Sequence, residues 1–242
     1  NSMRRTTLWA LAGLVLVVAF ASGADATPIE LVLVVDGSGS INSDEWILQQ
    51  QGYYNAILAA VPADGTVAIA GVVFSSSVST FLGLTPIMDG TDRTTVANAF
   101  LNANRGGLGS LTNISGAIEV AEGLFTDSAT AAIIDVSTDG DYNVGVDPMW
   151  DGFTASTYIG TSQWAVDNSA TVLNALGIGV TPDFAYGPGS FNMTAPDFAS
   201  FRASLTDKIS RETGVPEPGT MALLGIGLLG VGGVVVRRRR RS

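Results

Sequence analysis

Residues 30–40 read ELVLVVDGSGS and combine a strand pattern with a polar turn. Five apolar residues follow Glu30, a run typical of a strand buried in a parallel sheet. Asp36 ends this run, and the small polar turn GSGS follows it directly. Ligands of open parallel sheets bind at the carboxyl ends of the strands. The stretch therefore predicts a core strand that brings one carboxylate and two serine hydroxyls to the edge of a sheet.

Strand and helix patterns alternate along the rest of the chain. This alternation predicts an α/β fold with a doubly wound, mostly parallel central sheet and helices on both faces. The expected strands are residues 66–74, 80–84, 131–136, 178–180 and 191–194, and the expected helices are 43–60, 92–102, 114–124, 164–176 and 197–212.

The first 26 residues have the pattern of a secretory signal peptide. Arg4 and Arg5 form a positive region, residues 8–20 are almost continuously apolar, and Ala24-Asp25-Ala26 resembles a cleavage site. We therefore expect the exported domain to occupy residues 27–214.

Residues 215–242 read as a linker, a transmembrane helix and a basic tail. Residues 219–236 form an uncharged apolar run, which as a helix would extend about 27 Å, close to the thickness of the hydrocarbon core. Five arginines, Arg237–Arg241, follow it, and the positive-inside rule keeps them in the cytoplasm. The domain between the two apolar ends is then expected to be exported.

The charge of the exported part limits its function. Between Thr27 and Gly219 there are five basic and 21 acidic residues, a formal charge of −16. Such a surface repels nucleic acid and attracts divalent cations. The chain contains no Cys and no His, so it lacks disulfides, thiol chemistry and the commonest general base. We therefore expect a binding protein rather than an enzyme.

Oxygen-bearing side chains occur at two predicted strand ends. Asp36, Ser38 and Ser40 alternate through the first turn, and Asp139 lies in the polar turn that follows the strand at residues 131–136. Mg²⁺ prefers about six oxygen ligands near 2.1 Å and accepts water among them. The four side chains could therefore share one divalent cation.

Three segments together resemble the metal-ion-dependent adhesion site (MIDAS) of von Willebrand factor A (vWA) domains. They are DGSGS at residues 36–40, GSLTNISGAI at 109–118 and DVSTDGD at 135–141. The resemblance spans residues 28–213, and its later part is similar to a bacterial branch of unknown function. It implies direct metal contacts from Ser38 and Ser40, and direct or water-bridged contacts from Asp36, Thr112 and Asp139. It implies Mg²⁺, with Mn²⁺ or Ca²⁺ as alternatives.

The C-terminus resembles the PEP-CTERM sorting signal. Pro216, Glu217 and Pro218 precede the apolar run and the arginine tail, as in that signal. The resemblance implies processing by an exosortase of a Gram-negative bacterium. The protein would face the periplasm from the inner membrane, and would then reach the cell surface or extracellular matrix. A permanent single-span anchor would use the same residues.

Three functions are compatible with these features. The first is an adhesion module that captures a protein or matrix ligand through a carboxylate that completes the metal shell. The second is a structural protein of an exopolysaccharide matrix, held by divalent-cation bridges. The third and least favoured is a metal-dependent hydrolase, since the chain offers neither a histidine base nor a G-x-S-x-G nucleophile motif.

The segment at residues 141–162 leaves the strand end that carries Asp139 and is rich in Gly, Asp and aromatic residues. This composition suits an adaptable contact surface, and packing of the rings against the domain is the alternative. Asp139, Asp141 and Asn143 are also spaced like the start of a Ca²⁺ loop, although a solvated turn is favoured. The predicted ligand rim consists of Tyr142, Trp150, Phe153 and Tyr158.

Overall fold

The computed structural model describes residues 29–126, 129–149 and 158–214. Six strands form one sheet in the order β3-β2-β1-β4-β5-β6. All neighbouring strands are parallel except β3, which pairs with β2 in the antiparallel sense. The strands are β1 (Ile29–Asp36), β2 (Val67–Phe74), β3 (Val78–Pro86), β4 (Ala131–Thr138), β5 (Val172–Ile178) and β6 (Asn192–Ala195).

Helices cover both faces of the sheet, which confirms the predicted α/β architecture. Side chains of β1 alternate between the two layers, because successive residues of a strand point to opposite faces. Leu31 and Leu33 pack with Tyr53 and Phe201 on one face, whereas Val32 lies in the second cluster. The helices are α1 (Ser43–Ala60), α2 (Gly90–Leu101), α3 (Ile114–Glu122), α4 (Ser162–Asn168) and α5 (Phe198–Glu212).

One predicted helix, residues 164–176, is wrong in its second half. The structure has a short helix, α4, that ends at Asn168, and the next element is strand β5. All seven residues of β5 are buried, and Ile133 of β4 pairs with Val172. A short apolar run does not distinguish a buried strand from a buried helix, so pairing with β4 decided the outcome.

No helix among the described residues is long and apolar enough to span a bilayer. The predicted signal peptide, residues 1–26, and the predicted transmembrane helix, residues 219–236, both lie outside the described residues.

Gly52 lets α1 and α5 approach closely. A Cβ atom added at Gly52 would lie 2.6 Å from Cδ1 of Phe201. Alanine normally stabilises a helix relative to glycine by about 1 kcal/mol. We expect Gly52→Ala instead to lower the free energy of unfolding by about 1–3 kcal/mol through overpacking. Gly90→Ala is the control, because a Cβ there meets nothing within 4 Å. Urea denaturation measures both, and a Gly52→Ala domain at least as stable as wild type would contradict the close packing.

Candidate metal centre

The candidate centre lies where two adjacent parallel strands end. Asp36 is the last residue of β1, and Thr138 is the last residue of β4, with Asp139 directly after it. The strands pair in register up to Val35 and Ser137, so their carboxyl ends lie side by side. The register therefore brings together two acidic residues that are far apart in the sequence.

Glycine at position 39 lets a second loop reach the turn after β1. The Gly39 N–H donates a hydrogen bond to the Ser110 carbonyl at 3.0 Å. A Cβ atom at Gly39 would lie 2.9 Å from Cβ of Ser110, so a larger residue would push this loop away. The approach brings the segment that contains Thr112 to the same edge of the sheet.

A continuous chain of hydrogen bonds joins four of the predicted ligands. The Ser38 N–H donates to Oδ1 of Asp36 at 2.8 Å, and the Thr138 hydroxyl donates to Oδ2 at 2.7 Å. The hydroxyls of Ser38 and Ser40 are 2.9 Å apart. The Ser40 hydroxyl donates to Oδ1 of Asp139 at 2.7 Å. Asp36, Ser38, Ser40 and Asp139 therefore form one connected cluster.

The spacing of these oxygens fits a small divalent cation. In an octahedral shell with ligands near 2.1 Å, neighbouring ligand oxygens are about 3.0 Å apart. The Ser38–Ser40 and Ser40–Asp139 separations of 2.9 and 2.7 Å match this spacing, which is also the length of ordinary O–H···O hydrogen bonds. Nowhere in the described ranges do three or more His, Cys, Asp or Glu side chains gather into a possible metal site. A cation here would therefore depend on serine hydroxyls as neutral ligands beside two carboxylates.

Thr112 precedes the N-terminus of α3, and hydrogen bonds to its backbone fix its position. Its N–H donates to Oδ1 of Asn143 at 2.8 Å, and the Asn143 N–H donates back to the Thr112 carbonyl at 3.1 Å. Thr112 is buried, and no hydrogen bond within the described segments joins its hydroxyl to the other four predicted ligands. The side chain of Asn143 therefore positions the backbone of Thr112.

Burial disfavours the ionised form of both carboxylates of the centre, and the hydrogen bonds that they accept offset this effect only in part. Burial raises the pKa of Asp36 to about 6, although hydrogen bonds from Ser38 and Thr138 oppose the shift. Burial also raises the pKa of Asp139, and the Ser40 hydroxyl and the charge of Arg105 act in the opposite direction. A cation between the carboxylates would favour the ionised form of both.

Arg105 supports the turn and was not predicted from the sequence. Its guanidinium donates to the carbonyls of Ser38 at 3.2 Å and Ile41 at 2.6 Å. It also lies 5.1 Å from the ring centroid of Trp46. Thr138, which binds Asp36, was missed as well, although its position next to Asp139 was an available signal. Arg105 offered no such signal, because its partners are backbone atoms distant in the sequence.

The predicted rim is only partly described. Tyr142 is 38% exposed and lines a cavity of about 490 Å³ beside the centre. The Tyr158 hydroxyl donates to the carboxylate of Asp167, which anchors it to α4. Trp150 and Phe153 lie outside the described residues. The rest of the cavity wall includes Asp141, Asp147, Met149 and Asp183.

A family model described as "Protein of unknown function (DUF1194)" matches residues 26–216. The chain belongs to this family. DUF1194 is vWA-like, so the resemblance inferred from the three sequence segments is confirmed at the level of the family. A second model, the PEP-CTERM protein-sorting motif, matches residues 214–241 and confirms that signal too. The motif indicates export, sorting to the cell surface and processing by an exosortase.

Solved structures share the fold of the DUF1194 domain. The pilus adhesin SpaC from Lactobacillus rhamnosus GG aligns over 78% of this chain and 31% of its own, at 16% identity and TM-score 0.61. Proximal thread matrix protein 1 from the mussel byssus, in a structure with a zinc-occupied MIDAS motif, aligns over 77% of this chain and 48% of its own length. The identity is 16% and the TM-score is 0.54. A von Willebrand factor type A protein from Catenulispora acidiphila aligns over 78% of this chain and 43% of its own length, at 17% identity and TM-score 0.52.

This chain thus spans about a third to a half of the length of those proteins. At such low identity the likeness establishes the fold alone. A search among curated protein sequences gave no significant match.

The elevated pKa of Asp36 predicts how pH affects the metal-free domain. A carboxyl group that titrates at 3.8 when unfolded and about 6 when folded stabilises the fold below pH 3.8 and loses this contribution as pH rises through 6. We expect wild type to lose about 2 kcal/mol relative to Asp36→Asn between pH 4 and pH 7.

Urea denaturation in chelator at both pH values measures this difference. Other buried acids are present in both proteins and cancel in the comparison. A difference that stays constant with pH would show that burial does not perturb Asp36.

Proposed function

We propose that the DUF1194 domain is a metal-dependent adhesion module that captures a protein or matrix ligand through a carboxylate. The supporting observation is the hydrogen-bonded cluster of Asp36, Ser38, Ser40 and Asp139 at the carboxyl edge of the sheet. Asp36 and Ser38 are buried, whereas Ser40 is exposed and Asp139 is half-buried. One side of the cluster is thus fixed in the core, and the other side is open to a partner.

The donor set favours a hard cation, and Mg²⁺ is proposed, with Mn²⁺ or Ca²⁺ as alternatives. When bound, the cation would supply an open coordination position for a carboxylate of the partner. Ser38 and Ser40 would contribute neutral oxygens, so the two aspartates alone would neutralise the cation. Thr112 would act from the opposite loop, where Asn143 fixes its backbone. An acidic partner without a cation would be repelled by the domain's own excess of carboxylates.

Metal-induced stabilisation tests the site. A cation at 100 times its Kd should raise the free energy of unfolding by about 2.7 kcal/mol in wild type. We expect Ser38→Ala and Asp139→Asn to lose most of this gain, because each removes one ligand from the cluster. Thermal melts with excess Mg²⁺ and with chelator measure the shift.

Matched control variants exist on the surface of the same domain. Ser79→Ala on β3 and Asp207→Asn on α5 change the same residue types at exposed positions away from the cluster. They should keep the wild-type shift. An unchanged shift in both Ser38→Ala and Asp139→Asn would place metal binding elsewhere.

The second candidate is a structural role in an exopolysaccharide matrix. The acidic surface favours it, since many carboxylates can be bridged by divalent cations without a specific centre. The two functions separate in a binding assay with the extracellular material of the producing bacterium. Adhesion through the centre requires loss of binding in Ser38→Ala and competition by excess acetate. Binding that needs divalent cations but is insensitive to this substitution would favour the matrix role.

A catalytic role is not proposed. The chain has no histidine, and the pKa of Asp36, although raised, belongs to a buried side chain that hydrogen-bonds Ser38 and Thr138. Hydrolysis of any substrate in a panel of esters and phosphate esters at a rate abolished by Ser38→Ala would overturn this view.

The cavity beside the centre predicts where the partner makes further contact. Tyr142 lines this cavity and is partly exposed, as expected of an aromatic anchor. We expect Tyr142→Ala to weaken binding to the extracellular material by about 2 kcal/mol at saturating Mg²⁺ without changing the metal-induced shift. Tyr186→Ala is the control, since Tyr186 is 42% exposed and is not part of the cavity wall. Equal binding of Tyr142→Ala and wild type would remove this surface from the interface.

The sorting motif at residues 214–241 is the basis of the proposed localisation. The exported domain would face the periplasm while residues 219–236 hold it in the inner membrane. Exosortase processing near Pro216, Glu217 and Pro218 would then release it to the cell surface or the extracellular matrix.

A further inference from the structure

A cluster of three ionisable side chains lies in the core, away from the candidate metal centre. Lys208 and Glu212 lie one turn apart on α5, and Asp135 lies on the central strand β4. The side chains of the ion pairs are 0% exposed. Nζ of Lys208 is 2.5 Å from Oδ1 of Asp135 and 3.0 Å from Oε1 of Glu212. The amine thus contacts two carboxyl groups at a position closed to bulk solvent.

The surroundings orient these groups and exclude solvent. The Asn174 side chain donates to Oε1 of Glu212 at 2.8 Å and accepts from the Phe191 N–H at 3.0 Å. The Phe191 ring lies 5.8 Å from Nζ of Lys208. Within the described parts of the chain, neither carboxylate oxygen of Asp135 accepts a hydrogen bond, and its ion pair is with Lys208.

Burial and the neighbouring Asp135 favour the protonated form of Glu212. Burial, and next the negative charge of Asp135, raises the pKa of Glu212 to about 8, although Lys208 opposes the shift. Oε1 already accepts from Lys208 and Asn174, so the proton belongs on Oε2. Oε2 has no other partner among the described residues. The cluster therefore combines an amine, a carboxylate and a glutamate whose protonated form is favoured.

We propose that Lys208 and Asp135 condense into an intramolecular amide bond, with Glu212 as the proton carrier. The amine nitrogen attacks Cγ of Asp135, which lies at most about 3.7 Å away, one C–O bond beyond the contacted oxygen. Reacting atoms in productive geometries are about 3–3.5 Å apart, so little movement is needed.

The reaction balances without an outside reagent. Proton transfer along the Lys208–Asp135 contact gives a neutral amine and a neutral carboxylic acid. The new C–N bond forms as the nitrogen lone pair adds to Cγ, and Glu212 donates its proton to the departing oxygen. That oxygen leaves with two protons as water, and Glu212 recovers a proton from the nitrogen. The products are one secondary amide, one water molecule and the unchanged Glu212 carboxylic acid.

Burial favours both the reaction and its product. Separated charges in a core are costly to desolvate, whereas a neutral amide needs only hydrogen-bond partners. Exclusion of water also opposes hydrolysis of the bond once it has formed. The same contacts would be an ordinary ion pair if no bond formed, so the covalent state must be measured directly.

The bond would change how force passes through the domain. β4 ends at Thr138, next to Asp139, and α5 ends at Glu212, just before the sorting signal at residues 214–241. An amide between Asp135 and Lys208 would tie the last helix covalently to the central strand. Tension on a C-terminal attachment would then reach the sheet without unfolding α5.

Peptide mapping of the purified, denatured full-length chain tests the bond. Trypsin should not cleave after a Lys208 whose amine is acylated. We expect residues 106–202 and 203–211 to appear as one species, lighter by one water than the sum of the two peptides. Fragmentation should locate the link at Asp135 and Lys208. Complete cleavage after Lys208, with residues 106–202 at their unmodified mass, would overturn the proposal.

Two variants separate the bond from the role of Glu212. Asp135→Ala should lose the linked species because the acyl group is gone. Glu212→Gln keeps the shape of the side chain but not the proton, so we expect at least a tenfold slower appearance of the linked species after refolding. Circular dichroism checks that each variant folds. Linkage at the wild-type rate in Glu212→Gln would overturn its role as proton carrier, and linkage in Asp135→Ala would overturn the assignment of the acyl group.

Discussion

The parallel register of β1 and β4 is the constraint on which the candidate centre depends. Both strands lie in the middle of the sheet, with neighbours on each side. Val35 pairs with Ser137, and one step further the Thr138 hydroxyl binds the carboxylate of Asp36. A shift by one residue would turn every side chain of a strand to the other face. Burial of both faces, with each side chain committed to one of two helical layers, therefore also sets the position of the carboxylates at the edge.

Asp36 and Asp135 are buried acidic residues of the fold whose charges are stabilised by different partners. At the edge, hydrogen bonds from Ser38 and Thr138 only partly offset the burial of Asp36, and the remaining imbalance suits a cation. Within the sheet, Asp135 lies instead beside a lysine and a glutamate from α5, and burial raises the pKa of that glutamate. The first arrangement is open to solvent through Ser40, and the second is closed. Access to water is thus the physical difference between the proposed binding site and the proposed covalent link.

The fold shared with the adhesin SpaC and the mussel matrix protein at 16% identity shows how little sequence the architecture requires. A parallel sheet with two helical layers needs apolar residues at buried positions but tolerates many combinations of them. Ligand choice is a property of the loops at the strand ends, since fold by itself does not determine function. In this chain the loops at the strand ends include Tyr142 and the acidic wall of the cavity beside the candidate centre.

The sequence by itself determined the α/β class, the sorting motif and the segments that carry the candidate ligands. Each of these depends on local patterns: apolar runs with polar ends, glycine beside serine in a turn, and Pro-Glu-Pro before an apolar stretch. Tertiary structure alone decided that residues 172–178 form a strand, because a short apolar run fits either element until β4 offers hydrogen bonds. It also decided which groups the side chains of Arg105 and Lys208 contact. Their partners are backbone carbonyls and buried carboxylates distant along the chain, and such contacts leave no periodicity or motif in the sequence.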